Sequence, residues 1–141
     1  MKKSMLVAFV FMNIHLLAQK ISDSKVPTPV KDAFARYYPK ASKPKWEKEN
    51  GYYEANFTQN DAKMSATFEE HGGWLETETK IEVAALPKAI TDYIGENYKG
   101  EKIKEASKIK MANGDNNYEA EVKGKDLLFD DMGKFIKAVK D

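Results

Sequence analysis

His71 is the residue from which any catalytic reading of this sequence must start. It stands in the run Glu70-His71-Gly72-Gly73, and the other histidine, His15, lies in an apolar N-terminal run. A Ser-His-Asp or Cys-His nucleophile would have to be built on His71. Geometry rather than residue presence makes a triad, and a histidine in a glycine-rich turn is ordinarily solvated. A zinc site needs three or four N, S or carboxylate ligands, and one histidine without cysteine is a poor start. Cysteine is absent altogether, which excludes disulfides, thiolate ligands and a cysteine nucleophile.

Three acidic or polar clusters remain. Glu69-Glu70 and Asp130-Asp131 are adjacent carboxylates. Neighbours in a turn or strand diverge, so neither couple forms an acid/base pair. Asn113-Gly114-Asp115-Asn116-Asn117 offers oxygen ligands but lacks the spacing and closing Glu of a calcium loop. All three read as turns, where Asn, Gly and Asp serve the backbone. No metal or cofactor is expected, and the chain reads as a non-enzyme.

The aromatic residues are the stronger lead. Asn50-Gly51 is a two-residue hairpin signal, since both residues tolerate the positive φ of a type I′ turn. With that turn, Lys48 faces Tyr53 and Trp46 faces Ala55. Trp46, Tyr53, Ala55 and Phe57 then share an apolar face, and Glu47, Glu49, Tyr52, Glu54 and Asn56 a polar one. Tyr52 on the polar face and Trp74 at a turn exit are candidate anchors for a partner, with His71 beside them. Such rings give large contact area at little entropy cost. The alternative is that both rings are partly buried by the other half of the chain, and periodicity does not choose.

These residues need elements to carry them. Gln59-Asn60-Asp61 and Glu70-His71-Gly72-Gly73 are further turns, so Trp46 to Thr79 reads as a four-stranded antiparallel meander. Val26-Pro27-Thr28-Pro29 opens a helix ahead of it, because proline is tolerated in a first turn. Val30, Ala33, Phe34 and Tyr37 form its apolar stripe, and Pro39 ends it. Ile21 to Lys25 reads as a polar linker. The pattern then returns. Leu86-Pro87 opens a second helix with the stripe Leu86, Ile90, Tyr93 and Ile94. Lys108 to Ile136 gives four more strands, and Tyr118-Glu119-Ala120 matches Tyr53-Glu54-Ala55. The expected fold is α+β, a tandem repeat of helix plus four-stranded antiparallel sheet, with repeats at 26–80 and 86–138 of a domain spanning 26–141. A half of ~60 residues buries too little surface to be robust alone, so the halves are expected to share a core or a continuous sheet.

The chain has 141 residues, 42% hydrophobic, with formal charge +1. Lys2-Lys3 followed by Met5 to Leu17 and Ala18 reads as a signal peptide over residues 1–18. The apolar run is shorter than the ~20 residues of a membrane span. Export to the periplasm or beyond is expected, with no span after cleavage. The remaining chain balances 21 basic against 22 acidic groups, with Arg36 its only arginine. No basic field draws nucleic acid.

Val26-Pro27, Trp46-Glu47, Tyr53-Glu54-Ala55, Phe68 with Gly72, Leu86-Pro87, Tyr118-Glu119 and Phe129 with Gly133 together resemble the PepSY-like family of exported bacterial proteins, in its β-lactamase-inhibitor-like group. The match runs from about Val26 to Ile136. The resemblance implies a tandem helix-plus-four-strand fold and no enzyme activity. It also implies a binding module that inhibits or modulates an envelope enzyme such as a peptidase through an open sheet face. This chain lacks the cysteines of the β-lactamase inhibitor protein. A second expectation, from a different class, is a carrier of a small apolar ligand held between helices and sheet near Phe34, Tyr37, Phe57 or Met64.

Overall fold

The computed structural model describes residues 18–140. Most of the signal-peptide segment, residues 1–17 with Lys2-Lys3 and His15, therefore lies outside the described residues. Nine strands form one antiparallel sheet in chain order: β1 (Gln19–Ile21), β2 (Lys45–Glu49), β3 (Tyr52–Gln59), β4 (Ala62–Phe68), β5 (Trp74–Ile81), β6 (Ile103–Met111), β7 (Asn116–Val122), β8 (Lys125–Asp130) and β9 (Phe135–Lys140). Helix α1 (Thr28–Tyr37) precedes β2 and α2 (Lys88–Asn97) precedes β6. The fold is α+β. Of the shared core and the continuous sheet expected for the two halves, the continuous sheet is present: β5 and β6 pair from Glu76–Met111 to Ile81–Ala106.

Local chemistry explains the turns. Asn50 and Gly51 have φ of 50° and 85°, and the hairpin register is the one their type I′ turn imposes, Lys48 opposite Tyr53 and Trp46 opposite Ala55. Asn60 and Asp61 also take positive φ between β3 and β4. Pro27 and Pro87 cap the two helices. A strand not expected from the sequence precedes the linker and takes in its first residue, Ile21: β1 pairs Gln19–Ile21 with Lys48–Trp46. Three residues are too few for a period-two pattern to register.

Both helices lie on one face of the sheet. Val30, Ala33 and Phe34 of α1 pack on Trp46, Tyr53, Phe57 and Phe68. Ile90 and Ile94 of α2 pack on Ala106, Val122, Leu127 and Phe129. Phe34 meets Trp46 and Phe57 edge to face at 5.6 and 5.0 Å, a favoured aromatic geometry. Tyr37 departs from the expected stripe: it is 51% exposed. Tyr38, just past the helix end with φ −130°, swings into the core in its place and hydrogen-bonds Thr77.

Candidate functional site

The face without helices is built by alternation. Residues paired across an antiparallel ladder share a face. Glu47 is opposite Glu54, Glu54 opposite Thr67, and Thr67 opposite Glu76. Glu78 is opposite Ile109, and Ser107 opposite Glu119. Glu49, Glu105, Glu121, Asp126 and Asp130 share this face by the same registers, against Lys20, Lys45, Lys63, Lys80 and Lys137. Carboxylates outnumber lysines on it, although the described residues as a whole are balanced. The helix-bearing face takes the compensating lysines, among them Lys108 and Lys110.

Three carboxylate couples are directly opposed across the ladder, Glu47–Glu54, Glu105–Glu121 and Glu121–Asp126, an arrangement that destabilises a sheet. Glu105 and Glu121 are relieved by Lys80 at 2.5 Å and Lys104 at 2.8 Å. Around Glu54 the carboxylates are concentrated instead. Burial, followed by the charge of Glu47, pushes the Glu54 carboxyl up to about 7. Beyond this acid row the same face carries an apolar floor of buried Ile109, Met111 and Leu128, a cluster to which neither α1 nor α2 contributes. The expected alternation of Ile109 and Met111 is present, and it points them away from the helices.

The three anchor candidates do not share a face. Tyr52 is half-buried opposite Glu49, on the acidic side. Trp74 is opposite Phe68, on the helix side, where it packs against Tyr37 at 5.4 Å and donates from Nε1 to Thr77 Oγ1 at 3.0 Å. The bulge between Thr67 and Phe68 brings it there. Its partial burial comes from α1, not from the other half of the chain. His71 is exposed at the β4–β5 turn. The polar clusters are turns: Asp130 Oδ1 accepts from the backbone N–H of Met132 and Lys134, and Asn113 Oδ1 from that of Asp115. Among the described residues no three His, Asp or Glu side chains group as metal ligands do.

The acidic surface beyond β3 was not legible in the sequence. Each strand showed its alternation, but the β5–β6 register that joins the two halves' polar sides was not available from pattern alone. A continuous sheet was one of two options, and only that option sums the charge onto one surface.

A family model described as "Putative beta-lactamase-inhibitor-like, PepSY-like" matches residues 12–65 and 51–137. No curated protein matches the chain. Three solved structures of Bacteroides proteins are similar in fold. A "putative periplasmic" protein of Bacteroides eggerthii has a TM-score of 0.74 at 17% identity, covering 82% of this chain and 88% of that one. A DUF2874 family protein of Bacteroides uniformis has a TM-score of 0.73 at 21% identity, covering 81% and 88%. A BLIP-like protein of Bacteroides fragilis has a TM-score of 0.66 at 23% identity, covering 81% and 86%.

Proposed function

The chain belongs to the PepSY-like, β-lactamase-inhibitor-like family, and on that premise we propose that it is an exported, non-catalytic module that docks a basic protein partner on the helix-free face of its sheet. The observation that carries this reading is the excess of carboxylates on that face, with Glu47 set directly against Glu54. Places where a sequence breaks a local rule tend to be functional. A lysine or arginine of a partner entering between these groups relieves the repulsion and steers association. Tyr52 borders the row and supplies an aromatic contact; Trp74 and His71 fall outside this surface. The partner class is an envelope enzyme such as a peptidase, in keeping with the inhibitor-like description of the family. Export is supported by the N-terminal signal pattern and by the periplasmic description of the B. eggerthii neighbour. Among the described residues no helix is long and apolar enough to cross a membrane. We also read residues 26–80 and 86–138 as a tandem repeat, because each runs helix then four strands and each turns under its helix at a glycine, Gly72 and Gly133.

The test is crosslinking capture from the source organism's envelope extract with residues 19–141, beside a Glu47→Gln/Glu54→Gln/Glu78→Gln variant. One dominant protein, captured at low salt and weakened both by the variant and by added salt, is the expected result. Equal capture by the variant would reject the face, and the absence of any protein partner would reject the docking function.

A further inference from the structure

Trp74, which lies outside the docking face, belongs to a surface of opposite charge on the other side of the sheet. By the registers, every carboxylate within the nine strands is on the helix-free face, Glu47, Glu54, Glu78, Glu105 and Glu119 among them. The charged residues that the strands turn toward the helices are lysines. Two of them, Lys108 and Lys110, stand on β6 between the two helix-side cores, opposite Thr79 and Thr77. Both are exposed, and neither makes an ion pair among the described residues.

An aromatic platform adjoins them. Thr77 Oγ1 accepts from Trp74 Nε1 at 3.0 Å and bonds the Tyr38 hydroxyl, which fixes the indole beside the β5–β6 ladder. Exposed Tyr37 lies against the half-buried indole, their ring centres 5.4 Å apart and their planes tilted by 34°. On the far side the Lys108 ammonium lies over the Tyr118 ring, 6.0 Å from its centre. Tyr37, Trp74, Lys110, Lys108 and Tyr118 thus form a strip that crosses from α1 to the second core. Exposed Tyr and Trp are common anchors for a partner. Residues two apart in a strand point the same way and lie roughly 7 Å apart. Lys108 and Lys110 therefore present two ammonium groups at the spacing of alternate side chains in an extended peptide. We propose that this strip docks an extended acidic peptide segment, its alternate carboxylates on Lys110 and Lys108 and an aromatic side chain on the Tyr37–Trp74 platform. With the strand carboxylates all on the opposite face, the field here favours an anionic segment and steers it to this side. The helix-free face stays open, so the inference does not depend on what docks there.

The two indole N–H signals provide the readout. Trp74 is in the strip, and Trp46, buried in the first core, is the internal control. The probes are Ac-Phe-Ser-Glu-Ser-Glu-Ser-NH2 and its reverse, Ac-Ser-Glu-Ser-Glu-Ser-Phe-NH2, since either chain direction fits the spacing. Titrated into 15N-labelled protein, one of them should shift the Trp74 signal saturably in the sub-millimolar to millimolar range and leave that of Trp46 in place. The same peptides with glutamine for glutamate should shift it far less. Lys108→Gln/Lys110→Gln alters only exposed side chains and should weaken binding about tenfold, the scale of two exposed ionic contacts. An unmoved Trp46 signal in that variant checks that its fold is intact. A Trp74 signal unmoved by both peptides, an equal response to the glutamine peptides, or unchanged affinity in the lysine variant would each overturn the proposal. A response to oligogalacturonate with none to the peptides would overturn it too, in favour of an acidic glycan.

Discussion

Gly72 sits under the first turn of α1 with φ +88°, and a Cβ built there falls 2.5 Å from the Pro29 carbonyl oxygen. Gly51 has nearly the same φ but open space around it. The two positions separate conformational strain from collision. Gly51→Ala should cost about 1 kcal/mol, for positive φ alone. Gly72→Ala should cost about 3 kcal/mol or more, because the backbone of α1 must also move; urea denaturation of both variants checks the difference. Glu54 is the other residue with an individual signature. Its carboxyl titrates near 7 in the folded protein against a usual value of 4.5. The folded state therefore holds a proton that the unfolded state has lost, so stability falls as pH rises between these values. Linkage puts the loss at about 3 kcal/mol. Glu54→Gln should flatten this slope and raise stability at pH 8, measured by denaturation at pH 5 and pH 8.

Helix α1 shows which parts of an element a sequence pattern conveys. Its start, its stop and three of its four stripe residues are as the pattern predicts, since Pro27 and Pro39 restrict the backbone locally. The fourth, Tyr37, is displaced by Tyr38, whose side chain turns inward only because the helix has already ended. Phe34→Ala should therefore cost about 4 kcal/mol, as a buried ring within an aromatic cluster. Tyr37→Ala should cost about 1 kcal/mol, losing one exposed contact with Trp74. Thermal melts of the two variants rank them. The β2–β3 hairpin was legible to the residue because Asn50-Gly51 fixes its register. Strand β1 and the direction of Ile109 and Met111 were not, because both depend on long-range pairing.

At the scale of the whole molecule the two helix-side cores are separate clusters, joined through the β5–β6 ladder. Thr79 is opposite Lys108 in the middle of that ladder. Thr79→Pro should remove a ladder hydrogen bond in a central strand, which sheets tolerate poorly. Both tryptophans lie in the first half, so indole fluorescence reports that half while far-UV circular dichroism reports all. Coincident unfolding transitions are expected for the parent protein and separated ones for Thr79→Pro. Among the described residues the continuous sheet also ends in two edge strands, β1 and β9. The first is three residues long, which limits what can zip onto it. The second is longer and carries Phe135, Ile136 and Val139, the composition of a sticky strand, but Lys137 and Lys140 fall on opposite faces of it. Any incoming strand must desolvate an ammonium group on each side. The consequence is colloidal: concentrated solutions should stay clear at neutral pH, and a Lys137→Val/Lys140→Val protein should gel or fibrillate on storage while folding as before.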